Sequence, residues 1–317
     1  MRDFVSCFSE NAVNISNPSC SSYSNAAAAV VSLPSPSPSS SVKTAVTSLY
    51  ATTLSAAQSH LMISVAWTKT HSSQSLAINF TQSPTAIAFH LDTTVRFFKK
   101  NKGSKSYDFQ SYKIEILWDL AAAIYDGGPE PISGFYVLVT IDSEIALVLG
   151  EIPVSSRPYS LKTTMAADPE ARKCWLISRT EHCSGNTLFS TKAKFSENGV
   201  FHEISIRCGG DDDGGKRKQP GLWVWIDKKA VIRVKRLQWN FRGNQSIFVD
   251  GLLVDLLWDV HDWFFGSAMN GFAVFMFRRR SGLESRLWLE EEKKMIPHND
   301  IQKSLDFSLL IYASKTS

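Results

Sequence analysis

The sequence predicts a mainly β protein, an antiparallel β-sandwich or flattened barrel, and three observations carry that prediction. From Leu61 onward, apolar and polar residues alternate with period two in short runs, as in strands that bury one face. Turn-like stretches separate these runs, which is typical of an antiparallel meander. A Trp-Asp segment occurs twice, once in each half of the chain.

Composition bounds the protein class. The 317 residues are 44% hydrophobic and 20% charged with a net charge of +4, which suits one large globular domain or two small ones. The five cysteines lack regular spacing, so we expect a reducing compartment, the cytoplasm or nucleus. Acid-free residues 14–55 leave chloroplast targeting as the less favoured alternative. No apolar run reaches the roughly 18 residues of a transmembrane segment.

The N-terminal 1–55 segment differs from the rest in composition. Ser16–Ser41 is low in complexity and contains LPSPSPSSS, so it cannot offset its ordering entropy and is predicted to be a disordered leader. It serves either as a spacer, the favoured interpretation, or as a phosphorylated or partner-docking segment. In Val42–Gln58, apolar residues fall loosely at helical spacing, which predicts one short N-terminal helix. A single β domain is then expected over 56–317.

Short strands fill that domain. In its first part we expect them at 61–67, 75–80, 86–91, 95–100, 113–119, 134–142 and 144–152. In its second part we expect them at 187–195, 200–208, 221–227, 230–239, 252–265, 271–280, 284–292 and 304–313. The pair 221–227 and 230–239, joined through Lys228-Lys229, is the clearest hairpin.

An internal repeat links the two parts. KIEILWDL (113–120) matches LVDLLWDV (253–260), with Trp118 opposite Trp258 and Asp119 opposite Asp259. Glycine opens the strand that follows in both parts. This order predicts two diverged β-meanders, at about 60–165 and 185–317, that pack together because neither can cover both faces of its sheet.

The most characteristic segments also resemble a known family. They are MRDFVSCFSENAV at the start, ILWDLAAAIYDGGPEPISGFYVLVTID in the centre, and VIRVKRLQWNFRGNQSIFVDGLLVDLLWDVHDWFF near the end. They are similar to the plant proteins grouped as domain of unknown function 868 (DUF868). The resemblance covers nearly the whole chain outside the Ser/Pro leader. It implies no established activity, ligand or catalytic residue, so no chemistry follows from it.

His261, in the segment WDVHDW, is the first candidate site residue. An imidazole between Asp259 and Asp262 could act as a general base or contribute to a metal site. In a strand, Asp259 and His261 would share a face and Asp262 would point away. The alternative is a polar strand end, which the repeat favours because the matching Leu120-Ala121-Ala122 has no histidine. Asp259 would then accept backbone N–H bonds.

A basic and aromatic stretch is the best binding surface that the sequence offers. Strand alternation would place Arg233 and Lys235 on one face with Trp239. The stretch comprises Arg233, Lys235, Arg236, Trp239, Phe241 and Arg242. Such a surface could stack bases and contact phosphates, but the small net charge disfavours nucleic acid as the partner.

Known enzyme and metal signatures are missing from the sequence. The cysteines and histidines lack zinc-ligand spacing, and there is no Walker loop, G-x-G-x-x-G or G-x-S-x-G. No cofactor is therefore expected. We predict a non-enzymatic domain that binds a protein or small ligand through Asp259, His261, Arg242 and Trp239. The alternative is an enzyme or carrier whose cavity uses Asp259 and His261.

Overall fold

The computed structural model describes residues 41–53, 60–82, 85–92, 101–109, 112–153, 174–185, 187–196, 199–209, 220–266, 271–280 and 307–315. These residues form a mainly β structure with one short helix, α1 (His261–Phe265). The strands are β1 (Val42–Thr53), β2 (His60–Lys69), β3 (Gln74–Gln82), β4 (Thr85–Asp92), β5 (Lys102–Phe109), β6 (Tyr112–Asp119), β7 (Ile124–Tyr125), β8 (Pro131–Ser133), β9 (Tyr136–Ile141), β10 (Glu144–Gly150), β11 (Cys174–Ser184), β12 (Leu188–Ala193), β13 (His202–Gly209), β14 (Gly221–Ile226), β15 (Lys229–Val234), β16 (Arg242–Val249), β17 (Leu252–Asp259), β18 (Phe272–Arg279) and β19 (Ser308–Ser314).

A nine-stranded sheet contains strands from both the first and the second part of the described chain. Its order is β16-β17-β18-β19-β11-β1-β2-β3-β4. Two four-stranded sheets, β10-β9-β6-β5 and β12-β13-β14-β15, and the small β7-β8 pair complete the described structure. Neighbouring strands are antiparallel except for β11 and β19, which are parallel. Strand β11 therefore joins the sheet strands of the first half (42–150) to those of the second half (174–315).

Two separate hydrophobic clusters hold the sheets together. In the first half, residues such as Ile63 and Phe80 of the large sheet share one cluster with Ile116 of β6. In the second half, Val224 of β14 shares the other cluster with Phe275 of β18. Each four-stranded sheet thus shares a buried apolar cluster with strands of the nine-stranded sheet, and burial of these apolar side chains is the main stabilising contribution.

The predicted helix at Val42–Gln58 is wrong, because the described part of this segment is strand β1. β1 pairs with β11 on one edge and with β2 on the other. Within β1 the side chains of Val46 and Ser48 are buried, which is strand alternation rather than helical spacing. The segment is rich in Val and Thr, which favour strands, and pairing on both edges overrides its weak helical pattern. Residues 54–58 lie outside the described residues.

The predicted hairpin of residues 221–227 and 230–239 is confirmed in its pairing but shifted at its turn. β14 and β15 are antiparallel neighbours, and the turn residues are Asp227 and Lys228, with φ of 49° and 67°, instead of Lys228-Lys229. β15 ends at Val234, so the predicted extension to Trp239 is wrong. The Ser/Pro leader and the strands expected at 95–100 and 284–292 lie outside the described residues.

Candidate functional site

Asp259 ends β17 and directs the chain into α1. Its Oδ1 accepts the backbone N–H of His261 at 3.0 Å, and its Oδ2 accepts a bond from Arg242 Nε at 2.8 Å. Burial raises the pKa of the Asp259 carboxyl, but these two bonds outweigh it and lower the pKa overall. Both carboxylate oxygens therefore already have structural partners, and Asp259 fixes the start of the helix.

The first half contains the same arrangement without the helix. Gly103 lies opposite Trp118 in the β5–β6 hairpin, as Gly243 lies opposite Trp258 in the β16–β17 hairpin. Lys102 Nζ lies 3.1 Å from Asp119 Oδ2. Asp119 Oδ1 accepts the N–H of Ala121 at 3.1 Å. This local correspondence indicates a structural role for Asp119 and Asp259 alike.

His261 does not lie in a strand, so its predicted face-sharing with Asp259 is wrong. It begins α1, and its Nδ1 lies 2.7 Å from Asp262 Oδ1, the carboxylate predicted to point away. The imidazole packs edge-on against Phe241, with ring centroids 5.2 Å apart, and lies 5.2 Å from the ring of Phe265. His261 and Phe265 share a helix face at i, i+4 spacing, while Trp263 is buried on the other side.

We use the name aromatic surface for Trp239, Phe241, Arg242, His261, Phe265 and Phe272. Trp239, Phe265 and Phe272 are 79%, 56% and 47% exposed. The rings of Phe241 and Phe265 are 5.8 Å apart, and the Arg242 guanidinium lies 5.6 Å from the centroid of Phe241. Large aromatic side chains usually bury most of their area. A group of them exposed at one end of a sheet therefore indicates a contact surface.

Cationic side chains border the aromatic surface. Lys235 and Arg236 are exposed in the turn between β15 and β16, where Arg236 has a positive φ of 52°. This turn interrupts the alternation expected for the basic stretch, and it leaves Trp239 outside any strand. Lys315 lies over the ring of Trp263 and donates to the Trp263 carbonyl. The site therefore combines apolar rings with a positive border.

Of the four sequence-predicted residues, Arg242, Asp259 and His261 are brought together, and Trp239 is exposed in the turn that precedes β16. Phe265 and Phe272 were missed by the site prediction. The WDVHDWFF segment contained the signal for Phe265, because a strand could not have buried Trp263 and both following phenylalanines on one face. Phe272 carried no local signal, since only the sheet order places it beside α1.

The most deeply buried charges lie at the junction of the two halves, away from the aromatic surface. Glu181 on β11 is 0% exposed and forms ion pairs with Arg179 Nε at 2.7 Å and Lys43 Nζ at 2.9 Å. Arg179 also pairs with Glu130 at 2.7 Å. Two acids and two bases leave this cluster without net charge, and its side chains come from both halves.

His202 forms a second unanticipated cluster at the opposite end of the second half. Its Nδ1 lies 2.6 Å from Asp227 Oδ2, and its Nε2 lies 2.8 Å from Asp250 Oδ2. Burial lowers the imidazole pKa, but the two bonds outweigh it and raise the pKa overall. The imidazole thereby ties the β14–β15 turn to the β16–β17 turn. The separation of these residues in the sequence concealed the cluster.

The described residues offer no metal-binding group of three or more His, Cys, Asp or Glu side chains. Burial raises the pKa of the Cys174, Cys183 and Cys208 thiols to about 12, so these thiols remain protonated and weakly nucleophilic at neutral pH. Among the same residues, no helix has the length and apolar character needed to cross a membrane.

Comparison with known proteins identifies a family. The model of DUF868, described as plant protein of unknown function, matches residues 41–315. No curated protein matches the chain. Among solved structures, kievitone hydratase from Nectria haematococca is similar with a TM-score of 0.26 and 11% identity, over 80% of this chain and 90% of the hydratase chain. That likeness is too low to carry an argument about fold or activity.

Proposed function

This chain belongs to DUF868, a family of plant proteins of unknown function, and we propose that it is a non-enzymatic β protein that binds a partner protein on the aromatic surface. The observation that carries the proposal is the exposure of Trp239, Phe265 and Phe272 at one end of the molecule. Aromatic residues and Arg dominate the binding energy of protein interfaces. The aromatic surface supplies both.

The charges around the site define the partner's chemistry. Lys235, Arg236 and Arg242 are exposed, and the Arg242 charge is shared with Asp259. We infer a partner surface with apolar side chains at its centre and acidic side chains at its edge. Such complementarity accelerates association and selects the partner more than it adds affinity.

Catalysis by Asp259 and His261 has less support than binding. Asp259 is engaged by Arg242 and by a backbone N–H, and its counterpart Asp119 makes equivalent bonds where no histidine follows. His261 contributes ring area to the aromatic surface rather than facing a nucleophile. We accordingly propose that Asp259 positions Arg242 and the start of α1 and does not itself bind a ligand.

The experiment compares capture of plant proteins by the full chain and by a Trp239→Ser/Phe265→Ser variant. A protein retained by the wild type is purified, and its Kd is measured by calorimetry for both. We expect the variant to bind at least about tenfold more weakly, because interface aromatics contribute more than about 1.4 kcal/mol each when they are central.

Phe201→Ser supplies the matched control. Phe201 is 71% exposed and directly precedes His202, so it lies at the opposite end of the second half. The control is expected to bind the partner as the wild type does. Equal capture by the wild type and the double variant, with both folded by circular dichroism, would contradict the proposal.

We further infer that residues 41–315 form one unit made of two diverged halves, each a two-sheet sandwich. The support is the pair of separate hydrophobic clusters and the equivalent Gly-Trp and Lys/Arg-Asp pairs of the β5–β6 and β16–β17 hairpins. On this view, the nine-stranded sheet combines strands from both copies, with β11 between them.

A further inference from the structure

Strand β16 forms an edge of the nine-stranded sheet. In the described part of the chain, β17 is its one neighbour in that sheet. Every second side chain of β16 is exposed, namely Arg242, Asn244, Ser246 and Phe248, and Phe248 is 77% exposed. A strand with an open edge offers a row of backbone groups to which a further strand can be added.

The backbone groups of the same residues point away from β17. The Phe241 carbonyl accepts the Val260 N–H at 2.8 Å, which makes these two residues a hydrogen-bonded pair in the β16–β17 register. Hydrogen-bonded and non-hydrogen-bonded pairs alternate along an antiparallel ladder. The odd-numbered residues of β16 consequently bond to β17, while the N–H and C=O groups of Asn244, Ser246 and Phe248 face the open edge.

This edge lacks the usual protection against pairing. Between Arg242 and Asp250 the chain reads GNQSIFV, without proline or a charged residue. Lysine, arginine and proline within an edge strand discourage the addition of another strand. Three edge strands of the smaller sheets carry such a residue: Lys105 in β5, Lys192 in β12 and Arg233 in β15. Strand β16 is therefore suited to pair with a strand of another chain.

The charges at the two ends of this stretch indicate which strand it pairs with. Arg242 begins β16 and Asp250 directly follows it, so antiparallel pairing with a second copy of β16 brings opposite charges together at both ends. Arg242 bonds Asp259 through Nε, and Asp250 bonds His202 through Oδ2. Each side chain therefore has further polar atoms with which to form this contact.

Backbone geometry restricts the register of such a pair. In a continuous sheet, opposed residues point to the same face and their backbone groups must meet, so even-numbered residues lie opposite even-numbered ones. A two-fold axis at Ser246 meets this requirement and sets Arg242 opposite Asp250. Asn244 of one copy then lies opposite Phe248 of the other. The pairs between these positions supply about six backbone hydrogen bonds.

We propose that the protein forms a two-fold symmetric homodimer in which the β16 strands of two copies pair about Ser246. The two nine-stranded sheets then form one continuous sheet, and each copy covers the open edge of the other. A single pair of strands buries a small area, so the expected Kd is on the order of 10 µM. The dimer does not rest on the proposed function, because the rings of Trp239, Phe265 and Phe272 take no part in it.

Sedimentation velocity of the full chain, at concentrations on the order of 1 to 100 µM, tests the dimer. Asn244→Pro removes an N–H that faces the open edge and leaves the bonds to β17 in place. We expect this variant to dimerise at least about tenfold more weakly. Asn244→Ala keeps the N–H and is the matched control, which should dimerise as the wild type does. A wild type that is monomeric throughout, or equal dimerisation by a folded Asn244→Pro, would overturn the proposal.

Thiol cross-linking with dibromobimane tests the register. In Ser246→Cys, the two introduced thiols lie opposite each other, with Cβ atoms about 5 Å apart, and should be joined. Asn244→Cys is the control, because its two copies are about 14 Å apart along the strands and should not cross-link. The wild type measures the background from the native cysteines.

A second cross-link leaves the Ser246 bond to Asp255 intact. In an equimolar mixture of Asn244→Cys and Phe248→Cys, the thiols of two different chains lie opposite each other and should be joined. Absence of cross-linking in this mixture, or cross-linking of Asn244→Cys by itself, would overturn the proposed pairing.

Trp239→Ser/Phe265→Ser distinguishes the dimer from the proposed function. This variant should dimerise as the wild type does, whether or not it has lost its partner protein. If it is folded and monomeric at concentrations where the wild type is dimeric, the aromatic surface forms the dimer and the β16 pairing is overturned.

Discussion

The β5–β6 and β16–β17 hairpins are built alike and continue differently. In both, a glycine lies under a Trp ring, since a Cβ on Gly103 would be 2.8 Å from Trp118 and a Cβ on Gly243 would be 2.3 Å from Trp258. In both, a basic residue pairs with the Asp that ends the second strand. After that Asp, the first half turns through three alanines, whereas the second half forms α1 and exposes Phe265.

The shared part and the differing part have different roles. Groups that occur at equivalent places in both hairpins stabilise the hairpin, because they make similar contacts in both. Groups that occur only in the second hairpin's continuation, such as His261 and Phe265, are not needed to stabilise the hairpin. The proposed binding rings accordingly belong to the part that differs, while Arg242 adds its charge to the surface and also pairs with Asp259.

Replacement of the paired tryptophans should have the largest effect and should be similar in the two halves. Trp118→Ala and Trp258→Ala are each expected to lower the free energy of unfolding by about 3–5 kcal/mol, because each leaves a cavity over a glycine. Urea denaturation followed by circular dichroism measures both. Trp239→Ala, at an exposed position, should cost less than about 0.5 kcal/mol. A small cost for only one of the paired tryptophans would break the equivalence.

Replacement of His202 should have an intermediate effect that depends on pH. In a turn of the first half, Asp142 Oδ1 accepts the Lys113 N–H at 2.7 Å. In the matching turn of the second half, Asp227 Oδ1 accepts the Glu203 N–H at 2.9 Å. Only the second of these turns is also bound by a histidine. Because the folded-state pKa of His202 is raised, its stabilisation is fully present below the unfolded pKa of about 6.5 and is lost as pH rises through the folded-state pKa.

His202→Gln is therefore expected to cost on the order of 1.5 kcal/mol at pH 5.5 and less at pH 9. Thermal denaturation across this range measures the difference. His90→Gln, at an exposed position of β4, is the control and should leave the pH dependence unchanged. A cost for His202→Gln that does not vary with pH would contradict a stabilising contribution from ion pairs between protonated His202 and the carboxylates of Asp227 and Asp250.

Replacement of the paired aspartates should have the smallest effect. Burial raises the pKa of Asp119, but the bonds from Ala121 and Lys102 outweigh it and lower the pKa overall, as found for Asp259. A lowered folded-state pKa means that the stabilisation is present above the unfolded pKa of about 3.9 and is lost as pH falls through the folded-state value.

Asp119→Asn and Asp259→Asn are each expected to cost about 0.2–1 kcal/mol at pH 7, since both ion pairs are partly exposed. Urea denaturation at pH 7 and at pH 3 measures the loss, which should shrink at the lower pH. Asp108→Asn, exposed on β5, serves as the reference for a carboxylate outside the pair. A much larger cost at Asp259 than at Asp119 would show that the two are not equivalent.

Part of the candidate site was predictable from the sequence, namely the positions of Asp259 and Trp258, whereas the settings of His261 and Trp239 were not. The sequence match of 113–120 with 253–260 paired Asp259 with Asp119, which makes similar bonds, and the hydrophobic alternation placed Trp258 in a buried strand. Strand reasoning failed at His261, because a five-residue helix is too short to show periodicity. It failed at Trp239 because the positive φ of Arg236 ends the alternation, and Arg gives no local signal for such a turn.

The sequence by itself determined many of the strands and the Trp-Asp match, because alternation and turn chemistry are local properties. It did not predict β5, β11 or β16. Only the tertiary structure decided that β1 is a strand in the middle of the nine-stranded sheet, since its conformation depends on β11, which lies more than a hundred residues away. It also decided that Phe272, Phe265 and the beginning of β1 lie at one end of that sheet. Sheet order arises from long-range pairing, which no local pattern encodes.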